Sequence, residues 1–207
     1  MMQPFSDYLA TRPPLVIPAK VGYDRPDIEY SLGGNDRIGS CALCAPANHI
    51  DLCKAVIGEP QVVMEAEIER FYGIETGWTP LNPATDKGAI LATVLQDFTD
   101  NGWPTDPTYK PRACYTLRTS QIAAAVHAFG AVCTWIMLPT NDEGYDWSNA
   151  AFPKEGEYAH AVLIVGADEQ GYDLITWAER RRVSRAWFAV YGRDSYVLDL
   201  PDWIAPT

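Results

Sequence analysis

Two uninterrupted apolar runs, 131–138 (AVCTWIML) and 160–166 (HAVLIVG), constrain the fold of this chain more than any other feature. Each has the length of a strand and is rich in β-branched residues, as expected of strands buried on both faces. Gln170-Gly171 is a turn signal between the second run and 172–177, so these two segments are expected to pair as a hairpin. Segment 196–200 adds a last strand, and 112–116 is a further strand candidate. The first half reads differently. Helical patterning marks 41–56, with Ser40 placed to cap it, and 60–72, with Pro60 in its first turn. It also marks 85–99, with Ile90, Val94, Leu95 and Phe98 on one face, and 120–129, closed by Gly130. Segment 186–191 is short and amphipathic. Helices followed by an antiparallel sheet predict an α+β fold. Residues 35–207 are read as one domain, helical over 35–130 and sheet over 131–200. Residues 1–34, rich in Pro and Gly, are expected to run extended over its surface, and the polar stretch 139–158 is a loop long enough to border a site.

Charge narrows the classes of function. The 207 residues carry a formal net charge of −11, which argues against a nucleic-acid partner, because phosphate neutralisation needs clustered Lys and Arg. The one basic cluster, Arg180-Arg181-Arg182 with Arg185, is read as a solvated face. No run approaches the length of a membrane span, and the first residues lack the basic-then-apolar order of a secretory signal. The five cysteines are an odd number without the density of a disulfide scaffold. Free thiols, a reducing cytoplasmic location and no membrane partner are therefore expected.

Chemistry concentrates at two points. Ile38-Gly39-Ser40-Cys41 sets a cysteine at a predicted helix start, and His160 opens the second apolar run. Thiol and imidazole together make a nucleophile with its own base. A helix N-terminus and a neighbouring imidazolium both favour the thiolate, so a lowered Cys41 pKa is expected. A different reading comes from Cys41-x2-Cys44-x4-His49-x3-Cys53, which falls one residue short of a zinc-knuckle spacing. Pro46 suits a knuckle turn better than a helix, but the segment lacks the glycine and the basic and aromatic neighbours of RNA-binding knuckles. The reading adopted has no metal and no cofactor. His49 lies eight residues from Cys41, roughly 12 Å along a helix, too far to be its base. His127, Cys44, Cys53 and Cys133 are read as packing residues.

Residues 35–42 (NDRIGSCA) resemble the nucleophile segment of papain-like cysteine peptidases. The run from His160 to Gly166, with Asp168, Gly171-Tyr172 and Thr176-Trp177, is similar to that family's histidine strand, turn and tryptophan strand. Compact phage-encoded and bacterial members look most alike. The resemblance implies a papain-like α+β domain, with a nucleophile helix packed on an antiparallel sheet. It implies Cys41 as nucleophile, His160 as proton carrier, and Asn35 with the Cys41 amide as oxyanion donors. Gly39, Ser40 and Trp177 would border bound substrate. Where the family has Asn two positions before the strand tryptophan, this chain has Ile175, so the third catalytic member stays open between Thr176 and Asp173. Ala42 replaces a bulky aromatic, and Pro46 interrupts the helix. The implied activity is that of a thiol peptidase on a peptide or protein substrate. A thiol acyltransferase or a peptidoglycan amidase would use the same chemistry. The missing Asn also leaves a catalytically silent structural protein, such as a phage virion component assembled into a larger particle.

Overall fold

The apolar runs lie at the middle of an eight-stranded sheet. The computed structural model describes residues 2–138, 147 and 158–204. In chain order its elements are β1 (Gln3–Pro4), α1 (Phe5–Ala10), β2 (Lys20–Gly22), α2 (Cys41–Val56), α3 (Glu65–Thr76), α4 (Leu91–Asn101) and β3 (Ala113–Leu117). There follow α5 (Ile122–Phe129), β4 (Val132–Leu138), β5 (Tyr158–Asp168), β6 (Gly171–Thr176), β7 (Glu179–Ser184), α6 (Arg185–Tyr191) and β8 (Gly192–Asp199). The strand order is β1-β3-β8-β4-β5-β6-β7, with β2 added against β5. All pairings are antiparallel except β1 with β3. β4 and β5 pair along their length, from Val132 opposite Ile164 to Leu138 opposite Tyr158. Flanked on both sides, they are apolar along most of their length because both of their faces are covered.

α2 lies across β5 and also touches α3, α4 and β4. Fourteen of its 16 residues are buried, so it has no polar face and is the central helix of the molecule. It runs through Pro46 without interruption. Pro46 has no N–H to give the carbonyl of Ala42, which removes one bond from the first turn.

Several boundaries differ from the sequence reading. Phe5–Ala10 is helical and Lys20–Gly22 is a strand, so the first 34 residues are partly woven into the sheet instead of only crossing its surface. α3 begins at Glu65, not at Pro60, and α4 begins at Leu91, not at residue 85. Arg180, Arg181 and Arg182 lie on the edge strand β7, with Arg180 and Arg182 exposed as a solvated face, and Arg185 opens α6. Arg180 pairs with Asp24, and Arg182 with Asp168 and Asp173. Among the described residues, no helix is long and apolar enough to cross a membrane.

Candidate active site

Cys41 is the first residue of α2, and the loop before it is held from two sides. Ser40 does not cap the helix through its side chain. Its hydroxyl donates to the Gly33 carbonyl (2.7 Å), tying the loop beneath the helix start. Gly33 has φ +58°, and a Cβ there would lie 2.6 Å from Cys44 Sγ, so a side chain is excluded on both counts. On the other side, both oxygens of Asp86 accept the Gly39 N–H at 3.1 Å. Asp86 also accepts the Tyr72 hydroxyl, whose oxygen takes the Gly88 N–H at 3.0 Å. The chain is so close at this point that a Cβ on Gly39 would lie 2.9 Å from Gly88 Cα.

The opposite wall comes from β5, β6 and the turn after them. His160 is the third residue of β5, and its Nε2 lies 2.7 Å from Thr176 Oγ1 at the end of β6. Ile175 is buried, and Asp173 is taken up by Arg182 (2.7 Å); neither has a hydrogen bond to the imidazole. Trp177 stacks on the His160 ring, with centroids 4.2 Å apart and planes 14° apart, and its indole N–H donates to the Asn35 carbonyl (3.3 Å). Trp147 stands edge-on to Trp177 (6.1 Å) and stacks on Trp187 of α6 (5.2 Å), so it extends this aromatic wall inward. The β6–β7 turn consists of Trp177 and Ala178, with φ 46° and 59°. Two positive φ values match a two-residue hairpin turn, but side chains in that region are strained.

Between the walls lies a cleft of about 300 Å³, lined by Asn35, Gly39, Cys41, Asp86, His160 and Trp177 among others. The structure therefore brings together five of the residues singled out in the sequence, with Thr176 behind the imidazole as a sixth. Ser40 is not among them: it is fully buried and its hydroxyl points to Gly33, so its side chain cannot meet substrate. Asp86 and Tyr72 were not recognisable beforehand. Their placement follows from the 83–90 loop returning to Gly39, which no local pattern announces.

The electrostatics depart from the expected thiolate. Burial pushes the Cys41 thiol above its ordinary value, opposed by the backbone N–H groups of Ala161, Ala42 and Cys41, while the Asp86 charge pushes it further up. Burial takes His160 down to about 3. The surroundings therefore disfavour the thiolate and the imidazolium when each is formed alone. The contact with the Ala161 amide also sets the sulfur against β5, next to His160.

The zinc-knuckle spacing is not realised as a metal site. Its four residues lie along one helix, and His49 Nε2 bonds to the Phe129 carbonyl (2.8 Å) inside the core. Among the described residues, no group of His, Cys, Asp and Glu could hold a metal ion.

No protein-family model matches the chain, and no curated protein matches it in sequence. Solved structures do. The chain is similar to xylellain, a cysteine protease from Xylella fastidiosa, with a TM-score of 0.67 at 16% identity over 89% of this chain and 87% of that one. It is similar to digestive procathepsin L 3 of Tenebrio molitor, with a TM-score of 0.62 at 14% identity over 96% and 74%. It is also similar to the Carica candamarcensis cysteine protease CMS1MS2, with a TM-score of 0.59 at 14% identity over 89% and 99%. The fold is papain-like α+β, with the Cys41 helix set against an antiparallel sheet.

Proposed function

We propose that the protein is a cysteine hydrolase of amide bonds, a thiol peptidase acting on a peptide or protein substrate. The observation that carries this reading is the 2.7 Å bond between His160 Nε2 and Thr176 Oγ1, in a cleft that His160 shares with Cys41. With Nε2–H donated to Thr176, the Nδ1 lone pair is left for the thiol proton. Cys41 Sγ attacks the scissile carbonyl as His160 takes its proton, and the ion pair forms only with the bond. The oxyanion is received by the Cys41 amide and the Asn35 side chain. His160 then protonates the leaving amine and draws a proton from the water that releases the acyl group. The cysteine proteases that share the fold support this reading over an acyltransferase or an amidase.

A silent scaffold is the second reading, favoured by the burial of both Cys41 and His160, at 7% and 6% exposure. The deciding experiment is the rate of Cys41 alkylation by iodoacetamide from pH 4 to 9, in the wild type and in His160→Ala, read by peptide mass. The expected result is a wild-type rate about 100-fold above the variant at pH 7, the usual scale of general-base assistance. Equal rates with the profile of a free thiol would leave a papain-like scaffold without turnover.

A further inference from the structure

Two cysteines stand in the first turn of α2, and the proposed chemistry uses one. We propose that Cys41 and Cys44 form a reversible redox pair: a hydroperoxide oxidises Cys41, and Cys44 then closes a disulfide that blocks the nucleophile. The inference rests on the reading of Cys41 as the reactive thiol.

Four observations converge on it. Residues three apart on a helix have Cα atoms about 5 Å apart, within the roughly 4.4–6.8 Å that a disulfide spans. Cys44 is not a mere apolar filler: its S–H donates to the Leu32 carbonyl (3.4 Å), and Ser40 Oγ lies 3.6 Å away. Pro46 leaves the Ala42 carbonyl without its helical donor, so the turn carrying both cysteines has slack for the sulfurs to approach. The Leu43 and Cys44 N–H groups of this turn both donate to the Ser40 carbonyl. Finally, Cys41 opens on the cleft, whereas Cys53 and Cys133 are fully buried and Cys114 nearly so.

His160 takes the Cys41 proton as the sulfur attacks the peroxide O–O bond, which breaks to give Cys41–S–OH; the sulfur supplies the two electrons, and the departing oxygen takes the proton from His160 and leaves as an alcohol or water. The Cys44 sulfur then attacks Cys41. The S–S bond forms, the S–O bond breaks, and the departing hydroxide takes the Cys44 proton as water. A dithiol reverses the block by becoming a disulfide itself and returning both thiols.

The test treats the full chain with hydrogen peroxide, caps remaining thiols with N-ethylmaleimide, and fragments the tryptic peptide 38–54, which holds Cys41, Cys44 and Cys53. The expected product lacks two hydrogens, carries one cap on Cys53, and recovers its iodoacetamide reactivity at Cys41 after dithiothreitol. In Cys44→Ala, peroxide should instead carry Cys41 to the sulfinic acid, with no recovery. Wild-type Cys41 found as sulfenic or sulfinic acid beside a capped Cys44 would overturn the redox pair and leave the reactive thiol standing. Cys41 left reduced, with ordinary alkylation kinetics, would overturn both. The wild-type fragment map decides even if the variant does not fold.

Discussion

At the residue scale, the hydroxyl of Thr176 lies 2.7 Å from Nε2 of His160 and is the imidazole's side-chain partner. Replacing Thr176 by Val leaves the buried Nε2 of His160 without its hydrogen-bond partner, a penalty of about 1–3 kcal/mol that also frees the ring to rotate or change tautomer. Thr176→Val is expected to slow Cys41 alkylation at pH 7 by about tenfold or more, and Thr176→Ser to retain most of the rate; stopped-flow alkylation of the three proteins checks this. Asp51 offers a separate test, away from the cleft. Burial raises its pKa from 3.8 to about 7, against the pull of the Val63 amide on Oδ1, and among the described residues Oδ2 has no hydrogen-bond partner. Because the folded pKa is raised, the stability it contributes is complete below pH 3.8 and is lost as pH rises through 7. Asn keeps the Val63 bond and cannot ionise. Asp51→Asn is therefore expected to melt above the wild type at pH 8, by at most on the order of 4 kcal/mol, and level with it at pH 4. Thermal melts at the two pH values decide.

At the scale of elements, the β6–β7 hairpin holds a local strain that has a clear use. Its two turn residues adopt positive φ, and neither is Gly, yet this is the turn that lays Trp177 flat on His160. Relieving the strain at the second position alone should be favourable. Ala178→Gly is expected to raise stability by about 1 kcal/mol, read as a higher urea midpoint, with Cys41 alkylation unchanged. The same hairpin shows what a sequence can and cannot disclose. β4, β5 and β6 were legible because central strands are apolar on both faces, and α2 because it is long and apolar. β7 was not, because ERRRVS is an edge strand in which Arg180 is matched by Asp24 and Arg182 by Asp168 and Asp173, all from other segments. Cys41, His160 and Trp177 stood out as types at intervals. Whether the Thr176 hydroxyl reaches His160 depends on strand register, which no local pattern reveals, and Asp86 had no local signal, since its partner Gly39 lies 47 positions away.

At the scale of the molecule, the amino-terminal segment fastens distant parts of the sheet. β1 extends the β3 edge and β2 joins β5, while Phe5 is fully buried among Tyr8, Tyr115 and Phe129. Phe5→Ala is expected to cost about 3–5 kcal/mol, seen as a lower denaturant midpoint. The native protein should keep its Cys41 alkylation rate, because that edge lies across β8 and β4 from the cleft. Such long-range closure also imposes an order on biosynthesis. Cys41 is synthesised 119 residues ahead of His160, the first part of its facing wall, with Thr176 and Trp177 later still. A nascent chain stopped short of those residues carries an ordinary thiol. The two walls of the cleft can meet only after Trp177 has been made, so the surroundings that set the chemistry of Cys41 arrive long after Cys41 itself.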